Sequence, residues 1–342
     1  MGDNESSRKL IRRFDIAGTP GRNAAMKKTV LVAITVSLSF LSVARGQGGG
    51  KLLEASGVRG GLVVHLGCGD GKLTVSLRAN DSYIVHGLDA DAGNVAKARA
   101  AARQAGLYGK VSAVQWSGAS LPYADNLVNL LVADDLGKLP MSEVMRVLVP
   151  HGVALIGGKE TVKPRPKDIG EWSHYLQDAS NNAVAQDTRV GPPKRLKWTC
   201  GPRWARSHEF NSSLVAMISA GGRLFYIFDH GLTGVTDQPI PERWMLTARD
   251  AFNGVLLWAR PLGKWGAGQW KSRALRSVPK TVPRRIVAEG DRLFVTLGYT
   301  APVSILDAAT GKVLAVCEGT DGAQELRCCL GVVLVRKGGN LL

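Results

Sequence analysis

The sequence predicts an α/β domain with a parallel sheet, followed by a region that consists of β-strands. Between residues 60 and 158, short apolar runs alternate with helix-like segments, which is typical of a parallel sheet. A glycine-rich turn directly follows the first apolar run. After a Pro-rich stretch, strand-like patterns return in a form that repeats along the chain.

The elements of the first domain are expected in an almost strict order of strand and helix. A short helix over 51–56 leads into it, and Gly106 is a natural end for the longest helix. The predicted strands cover 62–66, 84–88, 111–114, 127–132 and 153–156, and the predicted helices cover 72–79, 92–105 and 142–148. No antiparallel hairpin is expected after Gly158. Ligands of such a sheet bind at the carboxyl ends of its strands.

The first 46 residues have the layout of a signal peptide. Two lysines precede an uncharged apolar run over 29–44, and the small residues Ala44 and Gly46 suit a signal peptidase. We predict translation from Met26, cleavage after Gly46 and export to the periplasm or cell envelope. The alternative is an uncleaved leader that anchors the chain in the membrane, although the apolar run is short for a span.

Charge and cysteine content argue against two classes of function. The net charge is +16, but residues 47–160 are nearly balanced and the basic residues of the second half are scattered among Pro, Trp and Gly. This pattern, without a nucleic-acid-binding motif, argues against a nucleic-acid partner. The five cysteines form no CxxC pair and no Cys/His spacing that suits zinc, so no metal site is predicted.

The turn after the first strand contains the candidate cofactor-binding residues. Glycines allow a sharp turn and a close approach of a ligand, and the start of the following helix offers free N–H groups to a carboxylate. Asp89 ends the second strand about twenty residues further on, where a carboxylate that binds ribose hydroxyls is expected. The loop alone also fits a dinucleotide-binding protein. The loop residues are Gly67, Cys68, Gly69, Asp70 and Gly71.

Two further segments point to one family. Residues 121–126 (LPYADN) resemble the "LPF.D" segment before the fourth strand of class I S-adenosylmethionine-dependent methyltransferases. Residues 143–152 (EVMRVLVPHG) resemble the "E..RVL.PGG" segment that follows this strand. With the glycine loop and Asp89 they make four matches in the family's order. The resemblance implies a Rossmann-like fold, S-adenosylmethionine as cofactor and methyl transfer, while the catalytic residue and the methyl acceptor stay unknown.

The sequence also departs from this family. His65 replaces the usual acidic residue of the first motif, and residues 117–119 lack the acidic residue that often contacts adenine. We interpret His65 as a hydrogen-bonded histidine at a strand end rather than as a catalytic base. Export would also separate the domain from S-adenosylmethionine, which is made inside the cell. The alternative function is therefore a non-catalytic exported scaffold that binds a protein or polymer.

Repeats in the second half predict an incomplete β-propeller. Residues 220–225 resemble 288–294, and residues 250–258 resemble 307–315. These segments are similar to the A-x-D-x-x-T-G-x-x-x-W repeats of propellers that bind pyrroloquinoline quinone, in which the Trp docks one blade on the next and the Gly makes a turn. The residues that match are Asp250, Gly254, Trp258, Asp307, Thr310 and Gly311.

Only about two blades and the start of another fit before residue 342, whereas propellers usually have at least about four. Pyrroloquinoline quinone is therefore not expected as a cofactor of this chain, and a quinoprotein dehydrogenase is the third functional hypothesis. Cys328 and Cys329 are expected to be two buried thiols in a propeller strand.

These patterns divide the chain into four parts. Residues 1–46 are the N-terminal extension and signal peptide, and 47–160 are the methyltransferase-like α/β domain. Residues 161–197 are a Pro-rich linker, and 198–342 are the partial quinoprotein-like propeller. The first functional hypothesis is methyl transfer from S-adenosylmethionine to an unknown acceptor, with an appended binding module.

Overall fold

The computed structural model describes residues 48–192, 196–205, 213–232, 241–270 and 278–342, which form two compact units. The α/β unit comprises residues 48–167 and the segment Phe252–Leu257; the β unit comprises Asp168–Ala251 and Trp258–Leu342. The predicted signal peptide lies outside the described residues. Within the described ranges, no helix is both long and apolar enough to cross a membrane.

The α/β unit is built on a six-stranded sheet with the order β3-β2-β1-β4-β5-β6. Strands β1 to β5 are parallel, and β6 runs antiparallel to β5. The elements are α1 Gly49–Ser56, β1 Gly61–Leu66, α2 Lys72–Ser76, β2 Tyr83–Asp89, α3 Ala92–Gln104, β3 Val111–Gln115, β4 Val128–Ala133, α4 Met141–Val147, β5 Leu148–Ile156 and β6 Lys159–Val162.

Strand β6 corrects the expectation that no antiparallel hairpin follows Gly158. Gly157 and Gly158 have φ values of 55° and 78°, which let the chain reverse directly after β5. The strand pairs with β5 from Val153↔Val162 to Ile156↔Lys159. Most of its side chains are exposed, so it lacks the apolar pattern that marks the other strands.

Apolar side chains cover both faces of this sheet. On one face, Val64 and Leu131 pack with Val144 of α4. On the other, Val63 and Leu130 pack with residues of α1 and α3. Burial on both faces explains why the strands are nearly continuous apolar runs. The strand order reverses direction between β1 and β4, which places a crevice at the carboxyl ends of these two strands.

The β unit contains three separate sheets of consecutive strands. Their orders are β10-β9-β8-β7, β11-β12-β13-β14 and β15-β16-β17, and β11 lies against both β7 and β15. The strands are β7 Leu214–Ala220, β8 Arg223–Asp229, β9 Trp244–Asp250, β10 Leu256–Pro261, β11 Ile286–Glu289, β12 Arg292–Thr296, β13 Val303–Asp307, β14 Val313–Cys317, β15 Glu325–Cys329, β16 Val332–Lys337 and β17 Asn340–Leu341. A short helix, α5 (Ala267–Trp270), and a 3-10 helix (Val282–Arg284) lie between β10 and β11.

Residues 171–174, which we call the spanning segment, bond to the first strand of each sheet. The amide of Ser219 in β7 donates to the Trp172 carbonyl oxygen at 2.7 Å. The amide of Ala288 in β11 donates to the Ser173 carbonyl oxygen at 3.1 Å. In β15, the Cys328 amide donates to Nε2 of His174 at 3.0 Å. This part of the Pro-rich stretch is therefore integrated into the β unit.

Two tryptophans make the same contact in successive repeats. The indole N–H of Trp198 donates to the Ala251 carbonyl oxygen at 3.1 Å, and that of Trp258 donates to the Ala308 carbonyl oxygen at 3.0 Å. Ala251 and Ala308 hold equivalent places in the two repeats. A Cβ on Gly311 would lie 2.6 Å from the Trp258 ring, so this glycine admits the indole. The predicted packing of Trp258 on the next repeat is confirmed.

The two adjacent cysteines differ from the expectation. Cys328 is buried and its thiol lies 3.2 Å from Oε2 of Glu289, whereas Cys329 is exposed. Successive residues of a strand point to opposite faces, so only one of the two can face the interior.

We predict that Gly311→Ala destabilises the β unit far more than Gly338→Ala. Both glycines have positive φ, 69° and 59°, so each alanine incurs the left-handed cost of about 1–2 kcal/mol. Only the Cβ at 311 meets a neighbour, because position 338 has nothing within 4 Å. Overpacking against Trp258 should add about 1–3 kcal/mol. Denaturant unfolding of both variants measures the difference, and equal midpoints would contradict the docking contact.

Candidate functional site

The glycine loop between β1 and α2 lies at the crevice of the sheet. Gly67, Gly69 and Gly71 have φ values of 71°, 52° and 80°, a region that favours glycine. The amides of Gly67 and Cys68 donate to the Leu88 carbonyl oxygen at 2.8 and 3.2 Å. These bonds fix the loop against the end of β2.

The three glycines serve different purposes. A Cβ on Gly71 would lie 2.4 Å from the Cα of Ala98, so this position allows α3 to pack against the loop. A Cβ on Gly67 would have nothing within 4 Å, and one on Gly69 would only reach the Gly67 carbonyl oxygen at 4.0 Å. Gly67 and Gly69 therefore border open space at the carboxyl edge of the sheet, where a ligand can approach the backbone.

Asp89 holds the loop and the start of α3 together. Its Oδ2 accepts from the Gly69 amide at 2.9 Å, and its Oδ1 accepts from the Asp91 amide at 2.9 Å. The side-chain amide of Asn94 lies 3.4 Å from both oxygens. Burial alone would raise the pKa of Asp89, but these donors outweigh it and hold the pKa below its usual value. The carboxylate is thus ionised and fixed in orientation.

The other two loop residues have structural contacts. Cys68 is buried against Val95 and Ala98, and burial together with nearby Asp89 raises the pKa of its thiol to about 11. A neutral, buried thiol is a poor nucleophile. Asp70 is exposed; it accepts from the Lys72 amide at 3.0 Å and pairs with the Lys72 ammonium at 3.0 Å. The structure therefore places Asp70 at the start of α2, facing its own chain.

His65 is bonded inside the α/β unit, in agreement with its interpretation from the sequence. Its Nδ1 lies 2.8 Å from Oγ1 of Thr74, and both side chains are buried. Burial lowers the pKa of His65, although the charges of Asp134 and Asp89 oppose this effect. The contact links β1 to α2 across the loop.

Sequence reasoning missed three residues around the loop: Thr74, Asn94 and Asp134. Asp134 is exposed directly after β4, at the crevice next to β1. An acidic residue at the end of an apolar strand beside the crossover was a usable signal. Thr74 and Asn94 carried no such signal, because each lies within a helix and is recognised only through its partner.

The two family-like segments around β4 form one polar network. The Arg146 guanidinium donates to Glu143 Oε1 at 2.8 Å, to Asp125 Oδ1 at 2.7 Å and to the Tyr123 carbonyl oxygen at 2.8 Å. Glu143 Oε2 accepts from the Leu121 amide at 3.0 Å. The hydrogen bonds from Arg146, with that of Leu121, lower the pKa of Glu143 to about 2. These segments thus hold the loop before β4 to α4.

A comparison of the sequence with models of protein families finds a match that agrees with this geometry. Residues 63–152 match the model of a methyltransferase domain. The match contains the glycine loop, Asp89 and the Arg146 network, and it covers well under half of the chain. The α/β unit therefore has a Rossmann-like methyltransferase fold, as the sequence predicted. No curated protein matches the chain significantly.

Solved structures give a similar but weaker likeness. The chain is 25% identical to the cyclase SpnF, 22% identical to an S-adenosylmethionine-dependent methyltransferase from Aquifex aeolicus and 19% identical to geranyl diphosphate C-methyltransferase from Streptomyces coelicolor. Each match covers 32% of this chain, and the TM-scores are 0.29, 0.29 and 0.30. The chain spans 42%, 62% and 43% of the length of these proteins.

Metal ligation has no visible basis in the part of the chain that the structure describes. No group of three or more His, Cys, Asp or Glu side chains there could hold an ion.

We predict that the α/β unit loses stability as the pH falls below about 6.5, the unperturbed pKa of histidine. The folded pKa of His65 is lowered, so the unfolded chain binds the proton more readily and acid favours unfolding. The contribution of neutral His65 to stability is complete above its pKa in the unfolded chain. It is lost as the pH falls toward its pKa in the folded protein. The slope for one proton is at most about 1.4 kcal/mol per pH unit.

The measurement is urea unfolding at neutral and mildly acidic pH for wild type, His65→Asn and His151→Asn. Asparagine keeps a polar atom near Nδ1, so Thr74 retains a partner in the first variant. His151 is exposed and has a φ of 65°, which asparagine tolerates, so it serves as the control. His65→Asn should reduce the pH dependence and leave the part that comes from His86, whose pKa is also lowered by burial, whereas His151→Asn should leave it unchanged. The reverse pattern would refute the assignment.

Proposed function

We propose that the α/β unit is an S-adenosylmethionine-dependent methyltransferase domain. The observation that carries this proposal is the ionised Asp89 carboxylate beside a glycine loop that borders open space. A sugar with two adjacent hydroxyl groups can donate hydrogen bonds to such a carboxylate. The match of residues 63–152 to a methyltransferase domain supports this cofactor over a dinucleotide.

The residues would hold the cofactor in distinct ways. Asp89 would accept hydrogen bonds from the ribose hydroxyls, while the backbone at Gly67 and Gly69 would lie against the amino-acid end. The bonds from the Gly69 and Asp91 amides keep the carboxylate in place before the ligand arrives. A fixed acceptor loses little freedom on binding, which favours affinity.

The bound cofactor supplies an electrophilic methyl group on a sulfonium. This chain's residues contribute positioning, because transfer to a good nucleophile gains most from orientation and proximity. His65 is bonded to Thr74 and Cys68 keeps its proton, so neither is proposed as a base or nucleophile. The catalytic residue and the methyl acceptor are left unassigned.

We propose the β unit as a propeller-like binding module for a protein or polymer partner. Three observations support this: consecutive strand order in all three sheets, the spanning segment that bonds to each, and the repeated Trp contact. The resemblance of its repeats to quinoprotein-type propellers stays a prediction from the sequence. Among the residues that the structure describes, no specific contact favours quinoprotein dehydrogenase activity.

A non-catalytic exported scaffold is the second candidate function. The presence of His65 in place of an acidic residue and the lack of an acidic residue in 117–119 favour it, since the family uses acidic residues at both places. The cellular location of the domain distinguishes these two candidate functions. Recovery of protein with a cleaved leader outside the cytoplasm would favour the scaffold, whereas a domain that faces the cytoplasm would favour the enzyme.

The decisive prediction concerns calorimetric titration of S-adenosylmethionine and S-adenosylhomocysteine into the full chain. We expect micromolar binding that Asp89→Asn weakens roughly 10- to 100-fold, as loss of charge-assisted hydrogen bonds implies. Asp81→Asn is the control, because the Asp81 side chain is fully exposed and away from the loop. No binding to well-folded protein would eliminate the methyltransferase proposal.

A further inference from the structure

The spanning segment is fastened to the three sheets of the β unit by bonds of two different kinds. Toward the first two sheets, its acceptors are the backbone carbonyl oxygens of Trp172 and Ser173, which do not titrate. Toward the third sheet, β15-β16-β17, the acceptor is a side-chain nitrogen: Nε2 of His174 accepts from the Cys328 amide at 3.0 Å. Of these three bonds, only the one to the third sheet depends on a protonation state.

Both ring nitrogens of His174 are engaged, and this fixes the protonation state of the ring. A backbone N–H can donate only to a ring nitrogen that carries no proton, so Nε2 is deprotonated. The ring proton is therefore on Nδ1, which lies 2.8 Å from Oγ of Ser173 and can donate to it. His174 and Cys328 are 6% and 4% exposed, so water does not readily replace either partner.

The charged groups around this ring come from three elements. Asp178 follows the spanning segment, Arg327 lies in β15 and Glu289 lies in β11. Burial lowers the pKa of His174 and the charge of Arg327 acts in the same direction, whereas Asp178 and Glu289 oppose them. The ring is therefore neutral at neutral pH, and a proton taken up in acid is attracted by two carboxylates.

We propose that His174 is a pH-sensitive latch that holds the third sheet to the spanning segment. A proton that binds Nε2 turns this atom from an acceptor into a donor, so it and the Cys328 amide present two N–H groups to each other and their bond is lost. The imidazolium then favours the carboxylates of Asp178 and Glu289. One buried side chain thus has two arrangements, and pH selects between them. This inference concerns the β unit and does not depend on cofactor binding or on a partner.

The release is local, because other contacts of the third sheet do not involve His174. Arg327 donates to the Ala179 carbonyl oxygen at 3.1 Å. Buried apolar side chains of the second and third sheets, among them Phe294 and Leu326, pack in one cluster. Mild acid should therefore break the bond between the spanning segment and β15 before it unfolds the β unit.

The pH range follows from the direction of the shift. The pKa of His174 is lowered in the folded protein, so the contribution of the neutral ring is complete above about 6.5, the ordinary pKa of histidine. It is lost as the pH falls toward the pKa in the folded protein. Uptake of one proton changes the opening equilibrium by at most about 10-fold for each pH unit.

The test is hydrogen exchange of the backbone amides of the full chain, measured by NMR at about pH 7.5 and about pH 5.5, on either side of the ordinary histidine pKa. Protection factors are compared, because intrinsic exchange itself slows in acid. The protection factor of the Cys328 amide should fall by up to about 10-fold between about pH 6.5 and about pH 5.5. The amides of Ser219 and Ala288 donate to carbonyl oxygens of the same segment, so they should keep their protection and serve as internal controls.

The variants His174→Gln and His230→Gln separate titration from structure. Glutamine at position 174 offers an amide oxygen, an acceptor that does not titrate, in place of Nε2. The Cys328 amide should then be protected equally at both pH values. His230 lies in the same unit and burial lowers its pKa as well, but it is not among the groups that act on His174. His230→Gln should therefore keep the pH dependence of the wild type.

Three results would each overturn the proposal: equal protection of the wild-type Cys328 amide at both pH values, equal loss of protection at Ser219 and Ala288, or the wild-type pH dependence in folded His174→Gln. If His174→Gln does not fold, NMR of the wild type with ¹⁵N-labelled histidine replaces it. Nε2 of His174 should be deprotonated at neutral pH and take up its proton over the pH range in which the Cys328 amide loses protection. A protonated Nε2 at neutral pH would also overturn the latch.

Discussion

The carboxylate of Asp89 is the contact on which the candidate site depends. It joins the glycine loop to the start of α3, because one oxygen accepts from Gly69 and the other from Asp91. The loop in turn is tied to β2 through the Leu88 carbonyl oxygen. Without this carboxylate, the amides of Gly69 and Asp91 would lose their acceptor at the carboxyl edge of the sheet. The residue expected to contact a ligand is thus also the residue that shapes the loop, which links ligand binding to local stability.

The residues that identify the fold and those that border the open crevice are largely different. The Arg146 network and Gly71 make the domain recognisable, but their contacts are internal: Arg146 holds the loop before β4 and Gly71 admits α3. Only Gly67, Gly69 and Asp89 combine the family pattern with a position at the crevice. A match to a methyltransferase domain therefore supports mainly the fold, and the proposed cofactor binding depends on a few contacts beside the loop.

Much of the α/β unit could be predicted because its strands are buried on both faces of the sheet. Each strand therefore appears in the sequence as an apolar run. All five parallel strands and their helices are found, with shifts at their ends such as α2 ending at Ser76. Strand β6 was missed because its exposed side chains leave no apolar pattern. The role of residues 171–174 was missed because the bonds from Ser219 and Ala288 go to backbone carbonyl oxygens of this segment, which composition does not reveal. Thr74 escaped notice since its partner is nine residues away and on another element.

Both units use part of their positive charge in ion pairs within the chain. Several arginines form ion pairs with carboxylates of the same chain: Arg146 with Glu143 and Asp125, and three arginines of the β unit with Glu325. Part of the basic excess is thus committed to internal contacts, so net charge alone is a poor guide to an external partner. Arg285 differs: among the described residues it forms no ion pair, and its guanidinium instead donates to the Tyr299 carbonyl oxygen and lies 4.3 Å from the centroid of the Tyr299 ring.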